Sequence, residues 1–349
     1  MAESFWFTTS MQGVAVNLYL APKSSLELIR HLRSVNGVAG LEGAPVRKRT
    51  LNDAINTVKA VQELDVVAQL WLSHISQPIE AFVANHAKGT STKRLVTHVF
   101  NQTVPYGAFL NLGHGVCICT PQFAYLQLGA ELEFLELLSV GMELCGSYSK
   151  WALDAKQSDN PYNLGPKNAR NYTYDLPPAM NAKRMVSFIE RMKGQRGAVG
   201  ARKTLNWMLD GSASPMETAT YLLLCLPRRL GGYALPKPLL NPLLKISGPD
   251  GVQKRYPDLF WHGPNIDVEY NSDEAHSGEW ARYRDSKREV ELTVANVRVL
   301  PLTRPQLMDG GEFDKFANGL RRMLGIRTRP RDLDWIYKRD ELRRFLLSG

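Results

Sequence analysis

Glu217, Asp258 and Glu269 are carboxylates on segments whose patterns mark a helix start and two adjoining strands, and Asn271 follows two residues after the last of them. A carboxylate is a negatively charged acceptor, so acids gathered by a fold concentrate charge that attracts cations and exchanges protons. Glu217 stands in Ser214-Pro215-Met216-Glu217, with a capping residue, a proline at the first helical position and Glu three after the cap. Its carboxylate has two open roles, reaching back to the cap's backbone N–H or joining a site. Asp258 belongs to a run from Tyr256 to Trp261 and Glu269 to a run from Ile266 to Asn271, with a turn at Gly263-Pro264 between them. Strand alternation sets Ile266, Val268 and Tyr270 on one face and Asp267, Glu269 and Asn271 on the other, so Glu269 and Asn271 project together.

The elements that must position these residues follow in order. A helix begins at Ser214 and carries the apolar Tyr221 to Leu226. After turns at Gly231-Gly232 and Pro236, a strand runs from Leu239 to Ile246 and Gly248 to Gly251 turns the chain back. The acid-bearing hairpin comes next, then a helix from Glu279 to Asn296 with Asp285, Lys287 and Arg288, a strand from Val297 to Thr303 and a helix from Phe313 to Leu324. Upstream, residues 1–90 begin β-rich (Phe5 to Leu20) and show helical spacing at Leu26, Ile29, Leu32 and at Ala54, Val58, Val61. Leu95 to Phe100, Ala108 to Leu112 and Val116 to Thr120 read as short strands, and one long helix is expected from Gln122 to Leu144, stopping at Gly146. Two further helices are expected at Asn181 to Met192 and Ala198 to Leu209.

The 349 residues, 44% hydrophobic and 22% charged, exclude a minimal stapled scaffold, a fibrous repeat and wholesale disorder. Apolar runs such as Tyr221 to Leu226 fall far short of the roughly 20 residues that cross a bilayer. No basic segment leads an apolar run after Met1, which points away from a secretory signal and toward the cytoplasm. Cys117, Cys119, Cys145 and Cys225 have neither disulfide-framework nor zinc spacing and read as reduced core thiols. A net charge of +9 favours polyanionic partners, nucleic acid first among them. From Arg321 to Gly349 arginines (Arg321, Arg322, Arg327, Arg329, Arg331, Arg343, Arg344) interleave with Trp335, Tyr337 and Phe345. That mixture suits either a nucleic-acid contact or a helix packing its aromatics while solvating its cations.

From Ser212 onward, the segments Ser212–Pro236 and Asp258–Gly278, the Asp285/Arg288 helix and the strand ending in Leu302-Thr303 resemble the very-short-patch-repair-like (Vsr-like) endonuclease domain of the PD-(D/E)XK, restriction-endonuclease-like superfamily. The order α, β, β, β, α, β matches its core layout, and Pro257-Asp258 stands eleven residues before Glu269. The chain is also similar to a group of actinobacterial proteins in which the segment like Gly115–Pro121 precedes the nuclease domain and has AbiEi-type antitoxin relatives. The resemblance implies that Asp258 and Glu269, with Glu217 nearby, hold Mg²⁺ or Mn²⁺. It gives His276 either a general-base or phosphate-contact role or that of a plain loop histidine, and Lys287 and Arg288 either phosphates or solvent. One position departs from the pattern. Where the superfamily has Lys, and the Vsr-like group has Asp followed by Gly, this chain has Asn271-Ser272, which lacks a charge and argues for a weakened site.

The expectation is thus an α+β protein: residues 1–146 a mixed accessory domain, 147–178 a linker or long loop, 179–211 a helical connector, 212–326 the nuclease-like domain and 327–349 a basic helical segment. Its expected function is metal-dependent hydrolysis of DNA phosphodiesters in defence or mobile-element biology, with Arg321 and Arg322 among the nucleic-acid contacts. The alternative is a non-catalytic DNA-binding or antitoxin-like regulator on a degenerate nuclease fold.

Overall fold

Short apolar runs fold as strands and longer amphipathic runs as helices in the computed structural model of the chain, which describes residues 16–36, 41, 43–150, 172–248, 251–271, 296–327 and 332–347. The protein is α+β, with mixed sheets. It forms two compact units, one taking the described residues up to His31 and from 41 to 124, the other those from Leu32 to Asn36 and from Tyr125 onward. The boundary after Ala124 falls inside the segment 1–146 expected as one accessory domain, and the expected segments from 147 onward all lie in the second unit.

The first unit is built on a six-stranded sheet. Its elements are β1 (Leu18–Leu20), α1 (Pro22–Asn36), β2 (Ala44–Pro45), α2 (Val58–Gln62), α3 (Val66–Ser73), β3 (Ile79–Val83), β4 (Leu95–Val99), β5 (Phe109–Gly113) and β6 (Val116–Cys119). The strand order is β2-β5-β6-β1-β3-β4, with β6/β1 and β3/β4 parallel and the other neighbours antiparallel. Every residue of β1 and β6 is buried, as expected of central strands covered on both faces.

The second unit continues with α4 (Pro121–Leu128), α5 (Phe134–Cys145), β7 (Ser149–Lys150), β8 (Tyr172–Thr173), α6 (Ala182–Arg191), α7 (Ala198–Leu205) and α8 (Pro215–Cys225). The single helix expected over 122–144 is two. A Cβ on Gly129 would lie 2.5 Å from the Gly197 carbonyl oxygen, so the approach of the backbone ahead of α7 ends α4 there. The helix expected from Ala198 to Leu209 ends at Leu205. At the C-terminus of α5 the fully buried Arg33 donates to the carbonyls of Gly146 (3.0 Å) and Tyr148 (3.2 Å), satisfying acceptors that a helix end leaves open.

The remaining strands are β9 (Leu239–Leu240), β10 (Leu244–Gly248), β11 (Gly251–Arg255), β12 (Leu259–Trp261), β13 (Ile266–Asn271) and β14 (Arg298–Thr303). The sheet order is β14-β13-β12-β9, with β14 parallel to β13 and the other pairs antiparallel, while β10 and β11 form a separate two-stranded ribbon. The strand expected from Leu239 to Ile246 is therefore split between two sheets. Asn241 has φ 46° and Pro242 lacks an N–H, which interrupts the ladder between them. After β14 come α9 (Arg304–Met308), α10 (Gly310–Met323) and α11 (Leu333–Leu347). The backbone packs closely at Gly231, whose φ is 88° and whose Cβ would lie 2.3 Å from the Lys338 carbonyl oxygen of α11. The neighbouring Gly232 carbonyl accepts from Trp335 Nε1 at 3.0 Å.

Candidate functional site

The acids of the hairpin come together through strand register. Leu259 pairs with Val268 and Phe260 with Asp267, so the antiparallel ladder sets Asp258 opposite Glu269, and directly opposed residues share a face. The Asp258 carboxylate is held there by the Tyr270 backbone N–H, which donates to Oδ2 at 2.8 Å. On the other side of β13, Glu269 lies beside Pro301 and Asn271 beside Thr303 of β14. Asp258, Glu269 and Asn271 are all half-buried, whereas Asp267, on the same face, is fully buried.

Glu217 approaches from the start of α8. Ser214 caps the helix by accepting from the Glu217 N–H at 3.1 Å, with Pro215 in the first turn, as the sequence pattern requires. The Glu217 carboxylate does reach back, but one residue beyond the cap: Oε2 accepts from the Ala213 N–H at 2.8 Å and from Asn241 Nδ2 at 2.6 Å. The same Asn241 donates its backbone N–H to the Asp258 carbonyl at 3.2 Å, so one side chain and one amide tie the helix start to the acid strand. Burial pushes the Glu217 carboxyl up to about 7 from its ordinary 4.5; the Ala213, Asn241 and Ser214 hydrogen bonds oppose the rise and the negative charge of Glu269 adds to it.

Sequence reasoning missed Asn241. Its signal was present in the Asn-Pro dipeptide, which marks a turn, but the partner carboxylate is 24 residues away in sequence. Of the other expected site residues, His276, Lys287 and Arg288 lie outside the described residues, as does Asp285. Arg321 is corrected: it is buried, donates to the Tyr233 carbonyl and to the Arg327 carbonyl (3.5 Å), and serves the core of this unit. Arg322, one residue on, is exposed. Arg343, also read as part of the basic surface, is buried, with Nη2 on the Leu307 carbonyl at 2.7 Å. The four cysteines are free and buried, and burial pushes the Cys117 and Cys119 thiols up to about 12, far from reactive thiolates.

The donor set is all oxygen and amide, which suits a hard cation. Among the described residues no group of three or more His, Cys, Asp or Glu is placed to hold a metal ion by itself. Mg²⁺ takes one or two carboxylates and retains waters, so Asp258 and Glu269 are the residues of this face that could hold such an ion. Among the described residues no helix is long and apolar enough to cross a membrane. No family model, curated protein or solved structure matches the chain.

Proposed function

We propose that the second unit carries a restriction-endonuclease-like core and hydrolyses DNA phosphodiester bonds with a divalent metal, in the cytoplasm. The observation that carries this reading is the cross-strand pair of Asp258 and Glu269 on one face of a mixed sheet, with the start of α8 and its Glu217 tied to it through Asn241. Asp258 and Glu269 would hold Mg²⁺ or Mn²⁺. The chemistry such an ion supplies is neutralisation of charge at the scissile phosphate and a more acidic water. The chain's own work is positional. The Tyr270 N–H fixes the Asp258 carboxylate, and Asn241 holds Glu217 within electrostatic reach of Glu269, so that a cation would favour the ionised form of Glu217.

Asn271 supports a second reading, a DNA-binding regulator built on a disarmed nuclease. It stands at the end of β13, two residues after Glu269 on the same face, and supplies an amide where a charged group is expected. Cleavage of single- and double-stranded DNA and RNA by the full chain, with and without Mg²⁺ or Mn²⁺, separates the two. Metal-dependent DNA cleavage lost in Asp258→Ala and Glu269→Ala is the expected result for the nuclease. An inert natural chain whose Asn271→Asp variant cleaves identifies the disarmed form, and inertness of both variant and parent removes the nuclease reading.

A further inference from the structure

The ribbon of β10 and β11 carries two lysines that no carboxylate among the described residues meets. Its register pairs Leu244 with Arg255, Lys245 with Lys254 and Ile246 with Gln253. Leu244 and Ile246, with Val299, pack on a small core of Phe260 and Val297, which fixes the ribbon against the sheet by that face. Phe260 lies two residues after Asp258 and directly opposite Asp267, so the face it shares is the one that carries Asp258 and Glu269. By alternation Lys245, Lys254 and Val252 occupy the ribbon's other face, and all of them are exposed.

Like charges directly opposite across two strands are destabilising, their Cβ atoms being about 5 Å apart. Other lysines of this unit meet acceptors, Lys237 on the Asn206 carbonyl, Lys315 on Glu312 at 2.6 Å and Lys338 on Asp334 at 2.7 Å, while Lys183 and Lys203 are exposed singly, with no second lysine opposite. Neither Lys245 nor Lys254 makes a side-chain hydrogen bond or ion pair among the described residues. Two ammonium groups set side by side, with no carboxylate among the described residues, repel each other and are relieved by an anion. Lys254 precedes Asp258 by four residues, a span of at most about 14 Å even when fully extended. On a duplex that span corresponds to about four base-pair steps along the axis.

We infer that the β10–β11 ribbon grips the duplex DNA backbone, Lys245 and Lys254 each taking one phosphate on the ribbon face turned away from the sheet, within the chain span that separates Lys254 from Asp258. This inference rests on the nucleic-acid reading above and assigns the phosphate grip to the ribbon, in place of the arginines of the C-terminal helices. The +9 charge of the chain supplies the general attraction, and the lysine pair its local focus.

The test is fluorescence anisotropy of the full chain with a labelled random-sequence duplex DNA over a range of salt, beside a duplex RNA and a single-stranded DNA. The Lys245→Ala/Lys254→Ala double variant should lower the magnitude of the log–log salt slope by about 1.8, or about 0.9 for each phosphate that it no longer neutralises. The Lys245→Arg/Lys254→Arg variant should keep the slope, and Arg322→Ala should leave it unchanged. The alanine variant keeps the Leu244 and Ile246 packing and sheds a repulsion, so its melting temperature should match or slightly exceed that of the parent. A parent that binds duplex DNA with a slope indifferent to the double alanine change overturns the ribbon assignment and leaves the nucleic-acid reading standing. Tighter binding of RNA or single strand than of duplex DNA overturns the assignment to duplex, and a parent that binds no duplex at low salt overturns both readings.

Discussion

The acid face of β12 and β13 and the arginine-rich layer of α10 and α11 are both runs of charge among aromatics in the sequence, yet they use charge in opposite ways. In the arginine layer the charges close on one another. Asp314 receives Arg339 at 2.6 Å and the Tyr233 hydroxyl, Arg321 donates to the Tyr233 carbonyl, and Arg228 covers the Trp335 ring at 4.4 Å while pairing with Asp332 at 2.7 Å. On the acid face negative charge is gathered instead: Asp258 opposes Glu269, and Glu217 stands close enough to Glu269 to feel it. A layer whose charges are mutually satisfied is a core with polar stitching, whereas carboxylates gathered on one face raise one another's cost of ionisation.

The contrast breaks most visibly at Asp314. With Asp314 6% exposed, replacing it by Ala removes the acceptor of the buried Tyr233 hydroxyl and one of the two carboxylates on Arg339, which keeps Asp340 at 2.7 Å, and should cost about 3 kcal/mol in a urea melt. Asp258→Asn, on the half-buried acid face, should leave the same melt nearly unchanged, and a loss as large as that of Asp314→Ala would erase the distinction.

Glu217 gives the next effect, and its sign depends on pH. Its folded pKa is raised from 4.5 to about 7, so the protonated form favours the folded chain and stability falls as pH rises through that window. Glu217→Gln should therefore stabilise the protein by on the order of 3 kcal/mol at pH 8 and by almost nothing at pH 4. Paired melts at the two pH values decide it, and an equal shift at both would mean that Glu217 is ionised at no cost. Mg²⁺ should raise the melting temperature of the parent more at pH 8 than at pH 5, since a cation offsets the same charge.

Smaller effects sharpen the comparison at its edge. Arg228→Ala, which removes the stacking on Trp335 and the ion pair with the exposed Asp332, should cost about 1 kcal/mol in the same urea melt. Arg322→Ala, one residue from buried Arg321 but exposed, should fall within about 0.5 kcal/mol of the parent.

Local chemistry makes much of this unit legible. Ser214, Pro215 and Glu217 announce the start of α8, and Gly263-Pro264 with its flanking alternation announces the hairpin. Asp258 and Glu269 are therefore placed by sequence pattern alone. Features fixed by distant backbone are illegible. The break after α4 depends on residues near Gly197, and the fate of Arg321 on the carbonyl of Tyr233, 88 residues earlier. An arginine's letter is the same whether it meets water, phosphate or a buried carbonyl, so composition alone misplaces the basic surface.

The close approach of α11 to Gly231 and Gly232 also sets an order of events during synthesis. Trp335 reaches the Gly232 carbonyl across 103 residues of chain, and at about 5–20 residues per second Gly232 leaves the ribosome roughly 5–20 s before the residue that docks on it. Through that interval Leu222, Leu223 and Leu224 of α8, buried in the finished protein, lack the neighbouring α11. The packing of α8 is therefore completed only after α11 has been synthesised, although the two are far apart in the chain.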